Sequence, residues 1–316
     1  MIHLRIVAPA SLAGRAVDLL ERTPSVFNIV RIPDVARRPH GDLILCDVAR
    51  EDASVVLAGL RKLGIDEVGT IAVEEVGTSI SHTAREAEKV AKGHPADAVV
   101  WEEVEARTSE SAELSGSFIA FMVLATAIAG VGILTDSQIL IIGAMVVGPE
   151  FGPLAGVCVA VVQRRLELAR RSLRAIVVGF PVAIAATCLG TLALRAAGTA
   201  PDDLTAGSHP ATLFISDPNT YSVIVALLAG VAGVLSLTTA KSGALIGVLI
   251  SVTTIPAAAN VGVAAAYGDW GELKGALAQL LINLGAILVA GVATLSFQRA
   301  QFARRAARSG SPSALP

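Results

Sequence analysis

From residue 116 onward the chain carries six apolar stretches, at about 116–134, 138–162, 174–195, 220–239, 243–266 and 275–297. A helix needs roughly 20 predominantly apolar residues to cross the hydrocarbon of a bilayer, and each stretch reaches that length. In hydrocarbon every backbone donor and acceptor must find a partner within the protein, which leaves helices or closed barrels. The pattern predicts a membrane all-α domain of six transmembrane helices over residues 115–298. Composition agrees: 53% hydrophobic residues and a mean hydropathy of +0.65 lie outside the range of ordinary soluble domains. The net charge of -2 says little about partners, because opposite local biases cancel within it.

Basic residues orient the spans. Arg164, Arg165, Arg170, Arg171 and Arg174 lie between spans two and three, Lys241 between four and five, and Arg299, Arg304, Arg305 and Arg308 after span six. The alternate loops carry Asp136, then Asp202, Asp203 and Asp217, then Asp269 and Glu272. The expected topology is multi-pass in the cytoplasmic (inner) membrane with both termini cytoplasmic. The start of the chain fits: Ile2 to Val7 alternates with His3 and Arg5 and lacks the apolar core of a signal peptide.

Residues 1–77 read as a cytoplasmic domain. Strand-like alternation over 2–7, 26–32, 43–48 and 68–73 is interrupted by helical patterns over 11–22, with Ser11 as cap, and 51–63. Turn residues sit at Pro33-Asp34 and at Pro39-His40-Gly41-Asp42. The order βαββαβ predicts an α+β ferredoxin-like fold, which by itself defines no activity. Residues 78–114 form a charged helical linker, in which Trp101 faces either a headgroup boundary or the soluble domain, and 299–316 form a basic cytoplasmic tail. No phosphate loop, dinucleotide fingerprint or triad spacing occurs, and His3, His40, His82 and His94 are scattered. Cys46, Cys158 and Cys188 read as small buried hydrophobes. The chain is therefore expected to be no enzyme, to hold no metal or cofactor, and to bind no nucleic acid.

The second span contains Gly148-Pro149-Glu150-Phe151-Gly152-Pro153. Proline removes a helix donor and clashes with the preceding turn, so the cluster predicts a break. Broken backbone at membrane depth belongs where protein or a watery cavity satisfies it, and an ionisable group there is a functional-site candidate. The fifth span echoes the second: Leu245-Ile246-Gly247-Val248-Leu249 parallels Ile141-Ile142-Gly143-Ala144-Met145, and Pro256 falls near the register of Pro153. Two three-span halves would be inverted copies with broken second and fifth helices, the arrangement that marks a transporter's midplane site. The candidate ligand or ion site is Glu150 with Gly148, Pro149, Gly152, Pro153, Thr253, Thr254, Pro256, Asn260 and Asn283. For Asn283, Gln279 and the hydroxyls, hydrogen-bonded glue between helices is the plainer role. Asp136-Ser137-Gln138 caps the second span at its outer boundary, or Asp136 lines an entrance.

The run Ile133-Leu134-Thr135-Asp136-Ser137-Gln138, followed by Ile141-Ile142-Gly143-Ala144-Met145-Val146-Val147-Gly148-Pro149-Glu150-Phe151-Gly152-Pro153, resembles the signature of domain of unknown function 389, the uncharacterised hydrophobic domain family of prokaryotic membrane proteins. Trp101-Glu102-Glu103-Val104, Ser236 to Ala244 and Ile255 to Asn260 extend the resemblance over about residues 100–297. It implies a multi-span inner-membrane protein and no established activity. Many members carry an apolar residue at the Glu150 position, so the resemblance makes the Gly/Pro break the shared element.

The functional expectation is a secondary transporter or ion-permeable protein for a small ion or polar solute, seated in a lipid bilayer as a homo-oligomer. The alternative is a non-transporting scaffold or sensor acting through its cytoplasmic domain.

Overall fold

The computed structural model describes residues 1–91, 99–201, 220–238 and 245–308, and of 245–253, 302 and 304–308 the backbone only. Asp202, Asp203, Asp217, Lys241 and His94 lie outside the described residues, as do the side chains of Thr253, Arg304, Arg305 and Arg308. The chain divides into two compact units, one of Met1–Val104 with Thr238–Lys241 and Gln298–Pro316, the other of Glu105–Leu237 and Ser242–Phe297.

The first unit follows the order β1 (Ile2–Ala8), α1 (Ala10–Glu21), β2 (Val26–Arg37), β3 (His40–Val48), α2 (Ala53–Lys62), α3 (Ile65–Val68) and β4 (Thr70–Glu75). Its strands form one antiparallel sheet in the order β2-β3-β1-β4. Strand alternation buries Ile2, Leu4 and Ile6 of β1 and Ile44 and Cys46 of β3 against Leu20 of α1 and Leu57 and Leu60 of α2. Each large apolar side chain so buried stabilises by roughly 1.5–3 kcal/mol.

Three local readings change. Helix α1 starts at Ala10 after Pro9, so Ser11 is an exposed residue of its first turn and no cap; proline's fixed φ suits a helix start. Pro33-Asp34 is no turn. β2 continues to Arg37 through an irregularity between Ile32 and Ala36, where Asp34 takes a φ of 54° and its N–H donates to Asp42 Oδ1 at 3.0 Å. A bulge of this kind absorbs extra residues without ending the pairing. The strand at 68–73 begins only at Thr70, because Gly64, in a left-handed conformation (φ 76°), leads into α3.

Helix α4 (His82–Val90) is capped by Ser81, which accepts from Ala84 N–H at 3.4 Å. Helix α5 (Trp101–Ser111) starts in the first unit. Trp101 is 6% exposed, and its backbone N–H donates to Ser54 Oγ at 3.2 Å, which places it against the first unit. Buried Arg50 donates to Glu75 at 2.8 Å and to Glu103 of α5 at 3.0 Å.

The second unit holds α6 (Gly116–Leu134), α7 (Gln138–Val147), α8 (Phe151–Gln163), α9 (Leu166–Ala196), α10 (Thr220–Thr238), α11 (Leu245–Tyr267) and most of α12 (Trp270–Arg308). Among the described residues α6, α9, α10 and α12 are each long and apolar enough to cross a membrane, and α7 with α8, bent by 51°, passes the same test as one broken span. These helices mark a membrane protein. The fifth apolar stretch departs from expectation: α11 is one helix with Pro256 inside it, so among the described residues only the second stretch is broken. A lone proline in an apolar helix is tolerated where neighbouring groups satisfy the freed carbonyl. The Gly148–Pro149 pair, followed by Gly152 and Pro153, is a stronger interruption.

Close helix approaches fix the directions. A Cβ on Gly179 would lie 2.8 Å from the Phe118 ring and one on Gly130 2.9 Å from Thr187, so α6 and α9 run parallel. Gly262 abuts Ile184 and Cys188, and Arg195 donates to Ala266 O at 2.6 Å, so α11 runs with them. Gly230 abuts Ile287, and Gly291 meets Val234 and Cys158, so α8, α10 and α12 share a direction. One core joins Met122, Ala125, Ile141, Met145, Ala183 and Ile255. A smaller one joins Leu154, Ala226, Ala229 and Ile287.

Candidate functional site

Ser137 starts α7 by accepting from Leu140 N–H at 3.4 Å, and the helix stops at Val147 because Pro149 cannot donate to the next turn. Gly148 is extended (φ -64°, ψ 128°), and Glu150 returns to helical angles as the residue that opens α8. Its side chain is 1% exposed, and its Oε1 accepts from the Thr254 hydroxyl of α11 at 2.8 Å. Gly148 is required by close packing: a Cβ there would meet Glu150 Oε2 and lie 2.8 Å from Ile255 Cγ1. Gly152 is tight as well, its missing Cβ falling 2.6 Å from Ser111 Cβ. Thr254 precedes Val263 by nine residues, roughly 13 Å of helix, and Val263 packs at Gly130. The Glu150–Thr254 pair therefore lies near the level of Met122, a few ångströms from the middle of α6.

Beside the break opens a cleft of about 430 Å³. Gly148, Pro149 and Phe151 line it from the break, Phe118 and Phe121 from α6, and Arg107, Glu110 and Glu113 from the polar side. Glu150 is not part of this lining; it is buried behind the two residues that are. A hydroxyl donating to a carboxylate returns roughly 1.5–3 kcal/mol. Removing a carboxylate from water costs several kcal/mol.

The expected cluster assembles in part. Gly148, Pro149, Glu150, Gly152 and Pro153 form the break, and Thr254 and Ile255, next to Pro256, face it. Asn260 does not join: its Nδ2 donates to Glu272 Oε1 at 3.1 Å, six residues and roughly 9 Å along α11 from Thr254. Asn283 is fully buried and accepts from Gln279 Nε2 at 3.2 Å. Within Asp136-Ser137-Gln138 the cap is Ser137, as expected of that segment, and Asp136 occupies the turn before α7 with a φ of 48°.

Two participants escaped the sequence reading. Ser111 and the end of α5 form a wall of the cleft, a tertiary contact with no local signal. Glu272, assigned to a loop, reaches Asn260; the spacing 272, 276, 279 and 283 on one helical face could have revealed it. In the first unit, His3 Nδ1 and Asn28 Nδ2 both meet Asp47 at 2.7 Å. Burial pushes the Cys46 thiol up to about 12, so it is an inert hydrophobe. Among the described residues no group of His, Cys, Asp and Glu could hold a metal ion.

Fold and site together define a helical membrane protein built around one broken helix. Residues 145–289 match the family model described as "Domain of unknown function (DUF389)", which bears out the resemblance of the motif, and the match includes the break itself. The chain is also similar to an uncharacterized protein of Methanocaldococcus jannaschii, 27% identical over 198 residues, 63% of this chain and 59% of that relative. It thus spans less than two thirds of the relative's length. No solved structure matches.

Proposed function

We propose that this protein moves a small ion or polar solute across the cytoplasmic membrane, with Glu150 as the group that binds and releases it. One observation carries the reading: a buried carboxylate at a helix break, bonded to Thr254 of a helix running the other way, directly behind an open cleft. The opposite senses of α6, α9, α11 and of α8, α10, α12 support a six-span architecture with two inverted halves. Clustered arginines at the start of α9 and the end of α12 favour cytoplasmic termini. The sheet order β2-β3-β1-β4 favours a ferredoxin-like cytoplasmic domain.

Reconstituted protein tests this reading. Glu150→Gln should abolish ion- or pH-dependent uptake into liposomes, and unchanged uptake would refute the role of Glu150.

The second reading is a sensor or scaffold acting through its soluble domain, and α5 favours it. Its first turn is bonded within the first unit, through Glu103 to Arg50, and its last residues line the cleft of the second. A ligand that shifts α5 while no flux accompanies it would establish this alternative. Homo-oligomerisation belongs to either reading and is read out by cross-linking in membranes.

A further inference from the structure

We propose that a polar stripe on α12, running from half-buried Glu272 to buried Gln279 and Asn283, carries protons between the Trp270 end of that helix and Glu150. The inference rests on the reading of Glu150 as an ion-binding group and names its second access route. Residues 272, 276, 279 and 283 recur at helical spacing and share one face. Glu272 accepts from Asn260 at 3.1 Å, and Gln279 donates to Asn283 at 3.2 Å. Oδ1 of Asn260 and Oε1 of Gln279 are buried and meet no donor among the described residues. Buried acceptors left this way are rare and costly, and packing alone would favour leucine at such positions.

Register brings the stripe to the break. Leu154 of α8 packs with Ile287 of the parallel helix α12, and four residues back on each stand Glu150 and Asn283. The cleft reaches the same break at Gly148 and Pro149 from the side of the α5–α6 junction. Glu150 is thus approached by an open cleft from one end of the bundle and by a closed polar line from the other. On that line only Ala276 separates Glu272 from Gln279, roughly 10 Å of helix, a gap that water held by the two free amide acceptors spans.

In the transfer the O–H bond of the Glu272 carboxyl breaks and one forms on the Glu150 carboxylate. Water carries the proton between them, and the amides of Gln279 and Asn283 orient it without changing protonation. Charge is conserved, since Glu272 becomes anionic as Glu150 becomes neutral. Among the described residues, Asp269 caps α12 by accepting from Gly271 and Glu272 N–H, Lys274 is exposed two residues on, and Arg195 at the end of α9 donates to Ala266 O and stacks over Tyr267 at 4.3 Å.

The test uses the full chain in proteoliposomes with a trapped pH-sensitive dye and a potassium–valinomycin potential. Gln279→Leu, Asn283→Leu and Glu272→Gln should each lower proton flux by about two- to tenfold, the effect of losing about one hydrogen bond's free energy along the path. Gln279→Met, which keeps chain length and lacks the acceptor, replaces any leucine variant that elutes as aggregate and should show the same loss. Wild-type flux in the Gln279 and Asn283 variants, alongside lost flux in Glu150→Gln, overturns the stripe and leaves the role of Glu150 standing. Absence of proton flux in the wild type overturns the stripe as well, while Glu150-dependent uptake of another ion or solute preserves the broader reading.

Discussion

Thr254 donates its hydroxyl to Glu150 at 2.8 Å across 104 residues of sequence, joining the broken helix to a continuous one. The bond ties the α8 side of the break to α11. Thr254→Val keeps the shape and removes the donor. Ion affinity measured from uptake against concentration should fall by about 10- to 100-fold, the range of roughly 1.5–3 kcal/mol for a hydrogen bond to a charged group. Unaltered affinity would show that the hydroxyl serves packing alone.

Gly148→Ala inserts a methyl where Glu150 Oε2 and Ile255 already lie. The carboxylate must move, so uptake should be lost. Overpacking should lower stability by about 1–3 kcal/mol, read as a drop in melting temperature in detergent. Gly143→Ala, at a position with nothing within 4 Å, is the control and should leave both unchanged.

Asp42 reports on the first unit. The backbone N–H of Asp34 and then the Arg31 side chain hold its carboxyl below the ordinary carboxylate value. A lowered folded pKa contributes stability above the unfolded value, and that stability is lost as pH falls through the folded one. Asp42→Asn should therefore destabilise the sheet at neutral pH, by about 1–3 kcal/mol for an unsatisfied donor, and the difference from wild type should shrink at low pH. Hydrogen exchange of the β2–β3 amides measures both.

Glu51 behaves in the opposite sense. Desolvation, reinforced by Asp52 and Glu88, pushes its carboxyl up against the opposing pull of its own backbone N–H and of the N-terminal charge, and its two oxygens are buried. A raised folded pKa means that ionisation opposes folding at neutral pH and that protonation relieves this as pH falls. Glu51→Gln should raise the melting temperature at pH 7 and lose its advantage toward acid. A lower melting temperature at pH 7 would contradict the assignment.

Arg50 is 5% exposed between Glu75 and Glu103, and Arg50→Met leaves two carboxylates facing a methyl group. Full burial would make the loss about 3–5 kcal/mol; with Glu75 partly in solvent, about 2–3 kcal/mol is expected. Limited proteolysis near α5 should accelerate accordingly.

Much of this architecture could be read from residues alone, where the signal was local. Alternation at Ile2, Leu4 and Ile6 located β1, and an uninterrupted apolar run bounded α6 at 116–134. The Gly148–Pro153 cluster located the break. Pro256 misled, because whether a proline breaks a helix depends on neighbours that sequence does not name. Asn260 misled for a related reason: its partner Glu272 sits just past the turn into α12, where charge counting had made it a loop residue. Glu150 found Thr254 as expected, since a carboxylate in an apolar interior has few polar groups to choose from.

The two cores of the helical unit lie on opposite sides of the break. Ile141 and Met145 of α7 belong to the core that includes Ala183 and Ile255, whereas Leu154 of α8 belongs to the one shared with Ala226 and Ile287. Gly148, Pro149 and Glu150 thus stand where the broken helix passes from one core to the other, and Ile176 and Leu284, packed against both, tie the two cores together. A substitution at the break therefore reaches the packing of both.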